Sequence, residues 1–309
     1  MTVPARDAAT VMLVRDAEAG EGVEGVEVCM VRRNLAAEFV AGAYVFPGGS
    51  VDPGDREADI EEVCTGLRDA EASARLGVER GGLALWVAAL RESFEEAGLL
   101  LATGPDGGGD LLDLTDPVVA ARFRRHRLDL NGGRRSFLEM CREEGLRLAV
   151  DRVHYVSHWI TPEVAPKRFD TRFFVAVPPS GQEAAHDDGE TIGSEWVRPA
   201  EALERHARGE IDLMPPTIAN LEAIGCHASA DAVIRWAAAI EDVPAILPIV
   251  RADGGALLIL RPGDDGYDEA LAERLADPDR PVPDDLAALA RQRFGPGAVG
   301  PPAASPGTA

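Results

Sequence analysis

Arg91-Glu92-Ser93-Phe94-Glu95-Glu96-Ala97-Gly98-Leu99 is the stretch around which the rest of the chain can be read. It continues the apolar run from Leu83 to Leu90 and stops at a glycine. Ala, Leu and Glu favour helix, and a glycine past the last turn is the usual C-terminal signal, so a helix is expected over about 82–97. On that helix Glu92, Glu95 and Glu96 stand at i, i+3 and i+4 and share one face. Like charges at this spacing repel by roughly 0.2–0.5 kcal/mol per pair. Two of the three also sit in the last turn, where the helix dipole favours cations. Arg91 relieves part of the conflict. A divalent cation would reverse the sign of both effects, because Mg²⁺ and Mn²⁺ prefer clustered carboxylate oxygens. An arbitrary acidic helix face is ordinarily just solvated; the sequence upstream argues for more.

Upstream lies Phe46-Pro47-Gly48-Gly49-Ser50-Val51-Asp52-Pro53-Gly54-Asp55. Two consecutive glycines after the strand-like Ala43–Phe46 imply backbone brought close to something, or conformations closed to other residues. Taken with the helix, this resembles the signature of the Nudix hydrolases, G-x5-E-x7-R-E-U-x-E-E-x-G-U, where U is bulky and apolar. Gly49 fits the first position; Arg91, Glu92, Glu95, Glu96, Gly98 and Leu99 fit the second half. Asp55 stands where the pattern has Glu, and Ser93 where it has U. Residues 56–90 intervene where the pattern has seven, so the box is split by an insertion over about 56–82. A split box, together with Trp159–Pro162, Arg168–Phe174 and Leu213–Ile218, is similar to the coenzyme A diphosphatase branch of the family. The resemblance covers roughly residues 8–225.

That resemblance implies an α/β fold, an α/β/α sandwich around a mixed curved sheet, with Glu92, Glu95 and Glu96 as metal-binding glutamates. Gly48 or Gly49 would add a backbone ligand, Arg91 would orient the glutamates, and Asp55 would support loop and helix. The implied cofactor is Mg²⁺ or Mn²⁺. The general base is either Glu92 or Glu190, the latter in the carboxylate loop His186–Glu190 ahead of a Trp196-containing strand. The implied reaction is hydrolysis of a diphosphate, with coenzyme A or acyl-CoA as first substrate and 3′,5′-ADP and a 4′-phosphopantetheine compound as products. NADH, ADP-ribose and nucleotide sugars are the alternative substrates. A non-catalytic nucleotide sensor on the same fold is the alternative of another class.

Phosphate contacts can be offered by Arg32 and Arg33 at a strand end, and by Lys167, Arg168 and Arg172 flanking another strand. The run Arg122–Arg127 is the one strongly basic patch, either a solvated helix face or a steering surface. Steering matters, because the formal charge of −22 opposes an anionic substrate. The same charge argues against a nucleic-acid partner. A small nucleotide-type substrate is the expected partner, with a homo-oligomer left open.

No apolar run approaches the ~18–20 residues that span a bilayer, so no membrane partner is expected. The first residues read as no signal peptide and the last as no peroxisomal address, so the expected setting is cytoplasmic. Cys29, Cys64, Cys141 and Cys226 form no C-x-x-C pair and are expected to be buried free thiols.

Strands are expected at 9–14, 26–31, 43–46, 152–160 and 171–177. Helices are expected within the insertion and at 116–128, 133–145, 199–208, 215–226 and 229–240. The domain organisation is a Nudix domain over 8–213, helices packed on it over 214–243, and an appendage over 244–309. The appendage should hold a hairpin (246–250 with 256–260), a short helix (284–293) and a disordered tail.

Overall fold

The structure is a computed structural model, described here for residues 3–17, 25–34, 40–105, 109–186, 189, 191–277 and 282–294. It begins with β1 (Arg6–Asp16) and β2 (Val26–Arg33), paired antiparallel with Val14 opposite Val28. β3 (Tyr44–Val45) follows, and the Gly-Gly segment is itself a strand, β4 (Gly48–Ser50), laid antiparallel on β1. A 3-10 turn, Pro53–Arg56, carries Asp55 into the insertion, which forms a second 3-10 turn, Ile60–Val63, and one helix, α1 (Asp69–Leu76).

The acidic helix is α2 (Leu83–Ala97). Its start is capped from the insertion. Asp69 accepts from the Gly81 and Leu83 backbone N–H groups at 2.9 and 3.0 Å, and Ser73 Oγ accepts from Gly82 N–H. These bonds satisfy donors that a helix start leaves open. At the other end Gly98 takes a left-handed conformation (φ 73°), which a glycine adopts without steric cost.

The short β5 (Ala102–Thr103) leads to α3 (Pro117–Asn131), capped by Asp116, and to α4 (Phe137–Glu143), opened by a Ser136/Glu139 capping box. After β6 (Arg147–Leu148) come β7 (His154–Ile160), β8 (Phe169–Ala176) and β9 (Thr191–Val197). Three helices complete this part: α5 (Pro199–Ala207), α6 (Pro215–Gly225) and α7 (Ala230–Ala238). Last come β10 (Ala245–Ile246), the hairpin β11 (Ile249–Asp253)/β12 (Ala256–Leu260), α8 (Tyr267–Ala276) and α9 (Asp284–Phe294).

The main sheet runs β10-β7-β8-β1-β2-β3, with β4 also on β1 and β9 also on β2. It is mixed, because β1 lies parallel to β8 and antiparallel to β2. Strand alternation sends side chains to two separate cores. Val11, Leu13, Cys29, Val31 and Phe174 meet the insertion and α2–α4 on one face. Met12, Val14, Val28, Met30 and Val175 meet α5–α7 on the other. Burial on both faces explains why β1 and β2 read as near-continuous apolar runs. The expected sandwich around a mixed sheet is what the chain forms.

The sequence reading needs correcting in three places. The Gly-Gly segment is an edge of the sheet. α8 lies in a part of the appendage where no helix was expected, although its own residues, Ala270, Leu271, Ala272 and Glu273, are good helix formers. The hairpin's first strand is 249–253 in place of the expected 246–250, because Ile246 belongs to β10, which pairs parallel with β7 in the main sheet. The C-terminal stretch is tied down further by a two-pronged Arg293–Asp212 ion pair (2.7 and 2.9 Å). Phe294 is buried beside Val40, Ala43 and Ala165. The tail beyond 294 and the turn residues 18–24 lie outside the described residues.

Three of the four cysteines are buried free thiols. Burial pushes Cys29, Cys64 and Cys141 up to about 12, which leaves them un-ionised. Cys226 is exposed. No helix among the described residues is long and apolar enough to cross a membrane.

Candidate active site

Arg91 is the hub. It is 6% exposed and touches four acidic or carbonyl partners. Its Nε donates to Asp55 Oδ1 at 3.0 Å and its Nη2 to Asp55 Oδ2 at 2.9 Å, a two-pronged pair. Nη1 donates to Glu92 Oε1 and to Glu95 Oε2, both at 2.8 Å, and Nη2 also reaches the Ser50 carbonyl at 2.8 Å. Burial by itself would lower the proton affinity of the guanidinium. The Asp55 hydrogen bonds and the charges of Glu92, Asp55 and Glu95 raise it instead, so Arg91 is a fixed cation.

Asp55 is shorter than the glutamate of the Nudix pattern, and the turn Pro53–Arg56 carries it inward to make up the reach. There it is 2% exposed and also accepts the Asp52 backbone N–H at 2.8 Å. Burial pushes its carboxyl above the usual carboxylate range, and the Arg91 hydrogen bonds and charge pull it back.

The three glutamates take different partners. Glu96 Oε2 accepts the Gly48 N–H at 2.9 Å, tying the last turn of α2 to β4. Burial raises Glu92 well above its ordinary value; Arg91 opposes this, and the charges of Glu96 and Glu95 add to it. Glu95 is raised too, again by burial against the pull of Arg91. Among the described residues no three His, Cys, Asp or Glu side chains converge as a ready metal cage. The donor set nonetheless fits a divalent cation: hard carboxylate oxygens on one helix face, in a site where their negative charge is costly.

Gly48 and Gly49 are required by close approach, and neither has a positive φ. A Cβ on Gly49 would lie 2.3 Å from Glu92 Oε1, and one on Gly48 would lie 2.7 Å from the Ala9 carbonyl oxygen. The Ser93 departure is accounted for as well. Its side chain is fully buried and donates to the Leu99 carbonyl at 2.6 Å, fastening the helix end.

These groups form one wall of a cavity of about 870 Å³. Glu92, Glu95, Glu96, Arg91, Gly48 and Gly49 line it, with Ala8 and Thr10 from β1, alternate residues of β8, and Pro216 and Thr217 from α6. Of the five basic residues expected at substrate, the structure brings two to the cavity, Arg33 and Lys167. Arg33 Nε is buried and meets no acceptor among the described residues.

The other three are placed elsewhere. Arg32 points along β2 toward the Tyr44 ring, 5.9 Å from its centroid. Arg168 donates to the Thr161 and Val3 carbonyls at 3.0 and 2.8 Å. Arg172 is buried against Asp170 at 2.7 Å. The reason is strand parity: Phe169, Thr171 and Phe173 of β8 face the cavity, so Arg168, Asp170 and Arg172 face away. Asp170 also pairs with His158. Glu190 lies outside the described residues.

The basic patch has a structural use. Arg127 Nε donates to the Glu95 carbonyl at 3.0 Å, and Asn131 Nδ2 to the same oxygen at 3.1 Å. Both satisfy one carbonyl that the end of α2 leaves open, and Arg127 complements the helix dipole. Asn131, which also lines the cavity, carried no local sequence signal.

Comparison with known proteins agrees with this geometry. The sequence model of the NUDT19 Nudix domain matches residues 77–224. The human acyl-coenzyme A diphosphatase NUDT19 is 30% identical over 277 residues, covering 79% of this chain and 73% of the human protein. The chain belongs to the Nudix hydrolase family. The Xenopus laevis acyl-coenzyme A diphosphatase NUDT19 is 25% identical and likewise covers 79% of this chain and 72% of its own. A crystal structure of a Nudix hydrolase from Alicyclobacillus acidocaldarius superposes with a TM-score of 0.60 at 28% identity, covering 75% of this chain and 96% of that one.

As a Nudix hydrolase the protein is an enzyme, and hydrolases of this family generally use divalent metals. In this Nudix hydrolase the two glycines should respond differently to alanine. At Gly48 the added methyl meets strand backbone, with an expected cost of about 1–3 kcal/mol in urea unfolding. At Gly49 it meets the far end of Glu92, which can move. Stability should then change little, while hydrolysis falls by up to about a hundredfold through the displaced carboxylate. Equal loss of stability in both variants would contradict this division.

Proposed function

We propose that this chain is a Mg²⁺- or Mn²⁺-dependent diphosphatase that hydrolyses coenzyme A and acyl-CoA to 3′,5′-ADP and 4′-phosphopantetheine compounds. One observation carries the reading: a buried Arg91 holds two carboxylates of the helix face Glu92/Glu95/Glu96 against a glycine strand at the cavity wall. The relatives named acyl-coenzyme A diphosphatase support the substrate.

The residues that would hold the metal are Glu92, Glu95 and Glu96, with a backbone oxygen of Gly48 or Gly49. When bound, the metal would neutralise the diphosphate, lower the pKa of a water and steady the leaving group. The remaining roles belong to the chain itself. Asp55 and the Ser50 carbonyl fix the Arg91 plane, and Arg91 in turn fixes the two carboxylates it touches. Arg33 and Lys167, at the cavity, answer the substrate phosphates, which a chain of net charge −22 would otherwise repel. Glu92 takes the proton of the attacking water, Glu190 being the alternative. A cytoplasmic setting fits the three buried free thiols.

The test is product analysis by chromatography on coenzyme A, acyl-CoA, NADH, ADP-ribose and nucleotide sugars, each with Mg²⁺, Mn²⁺ or EDTA. Cleavage that needs metal and prefers the coenzyme A compounds is expected. Preference for another compound would keep the diphosphatase and overturn the substrate. Binding without turnover across the whole panel would make the protein a sensor.

A further inference from the structure

Beside the catalytic cavity lies a second, smaller one of about 130 Å³, walled almost entirely by apolar groups. The two are continuous, because Phe169, Thr171, Phe173, Met214 and Pro216 line both. Its far wall comes from the C-terminal stretch: Pro248, Ile259 of β12 and Phe294 of α9. One polar group stands out in it. Trp159, 4% exposed, lines this pouch, and its indole N–H finds no acceptor among the described residues. Buried indole N–H groups usually have a partner, and leaving one without is costly. Trp159 sits directly across from Thr171 in the β7/β8 pair, so both side chains share the face that the two cavities share.

We propose that the pouch receives the acyl group of the thioester substrate, with the Trp159 N–H donating to a carbonyl oxygen. The inference rests on the coenzyme A reading of the catalytic cavity. An apolar recess with a buried N–H that meets no acceptor among the described residues suits a short hydrocarbon carrying one carbonyl. The small volume, about 130 Å³ beside a cavity of about 870 Å³, favours short acyl chains over long ones. On this assignment β12 and α9, which follow the region matched by the NUDT19 Nudix domain, set the specificity.

The quantity to measure is the ratio of kcat/KM for butyryl-CoA to kcat/KM for free coenzyme A, in the full chain with Mg²⁺. The unaltered protein should prefer butyryl-CoA. Ile259→Trp, which fills the pouch, should lower the ratio at least about tenfold, as a group of several carbons is excluded. Trp159→Phe, which keeps the ring and removes the donor, should also lower it. Residual cleavage of free coenzyme A in the same preparations reports a folded enzyme. An unchanged ratio in Ile259→Trp would overturn the pouch, and an unchanged ratio in Trp159→Phe would overturn the hydrogen bond. Failure of the unaltered protein to cleave any coenzyme A compound would overturn the reading of the catalytic cavity, and the pouch assignment with it.

Discussion

Glu96→Gln should reduce metal-dependent hydrolysis by at least about a hundredfold while leaving the fold in place. The amide oxygen can still accept the Gly48 N–H, so the 2.9 Å link between α2 and β4 survives. What is lost is one of three negative charges that a divalent cation would need. Losing even an outer partner of a metal ligand typically costs 10–100-fold, and a ligand itself should cost no less. Glu95→Gln should behave in the same way, because the amide can keep its contact with Arg91. Steady-state kinetics across a Mg²⁺ titration, with circular dichroism as the fold control, check both. Activity within a few-fold of the unaltered enzyme in both variants would remove the helix face from the chemistry.

Asp55→Ala should be the most destabilising single change at the site, by about 3–5 kcal/mol in urea unfolding. It leaves Arg91 buried with its strongest partner gone, and an uncompensated buried charge costs far more than the pair itself contributes. The guanidinium would then have only Glu92, Glu95 and the Ser50 carbonyl to satisfy it. Asp55→Asn keeps the shape and one acceptor oxygen, and should cost less than alanine. If alanine and asparagine are equally mild, the pair is not what holds the turn Pro53–Arg56 to the helix.

The Asp55–Arg91 pair also shows how far a linear pattern can be read. Asp55 lies 36 positions from Arg91 and one methylene short of the residue the Nudix pattern has there. The spacing alone leaves its reach unsettled. The 3-10 turn closes that gap, and the turn forms because Pro53 and the Asp52/Asp55 capping box favour it locally. Ser93 is similar: as a sequence it is a departure, and as a structure it is a buried hydroxyl bonded to the Leu99 carbonyl.

The basic residues were less legible. Arg32, Arg33, Lys167, Arg168 and Arg172 have equal standing as letters, yet only Arg33 and Lys167 reach the cavity. In a strand buried on one face, apolar alternation would reveal which side each residue takes. β8 is buried on both faces, with Phe173 and Phe174 pointing to opposite cores, so its parity is hidden. Arg127 has the opposite history. It belongs to a run that invites an electrostatic role, and its partner is the Glu95 carbonyl at the end of α2.

By itself, then, the sequence determined what depends on short spacings. It set the extent of α2, the common face of Glu92, Glu95 and Glu96, the glycine stop, and strands apolar enough to be covered on both sides. Those features follow from a 3.6-residue repeat, a two-residue repeat and local capping, each decided within about one turn of its own position. Only the tertiary structure decided which charges meet: Asp55 with Arg91, Arg127 with Glu95, Arg293 with Asp212. It alone brought Ile259 and Phe294 against Trp159 to close a pouch beside the catalytic cavity. Contacts between residues tens to more than a hundred positions apart depend on how sheet, helices and C-terminal stretch stack together, and no local repeat encodes that.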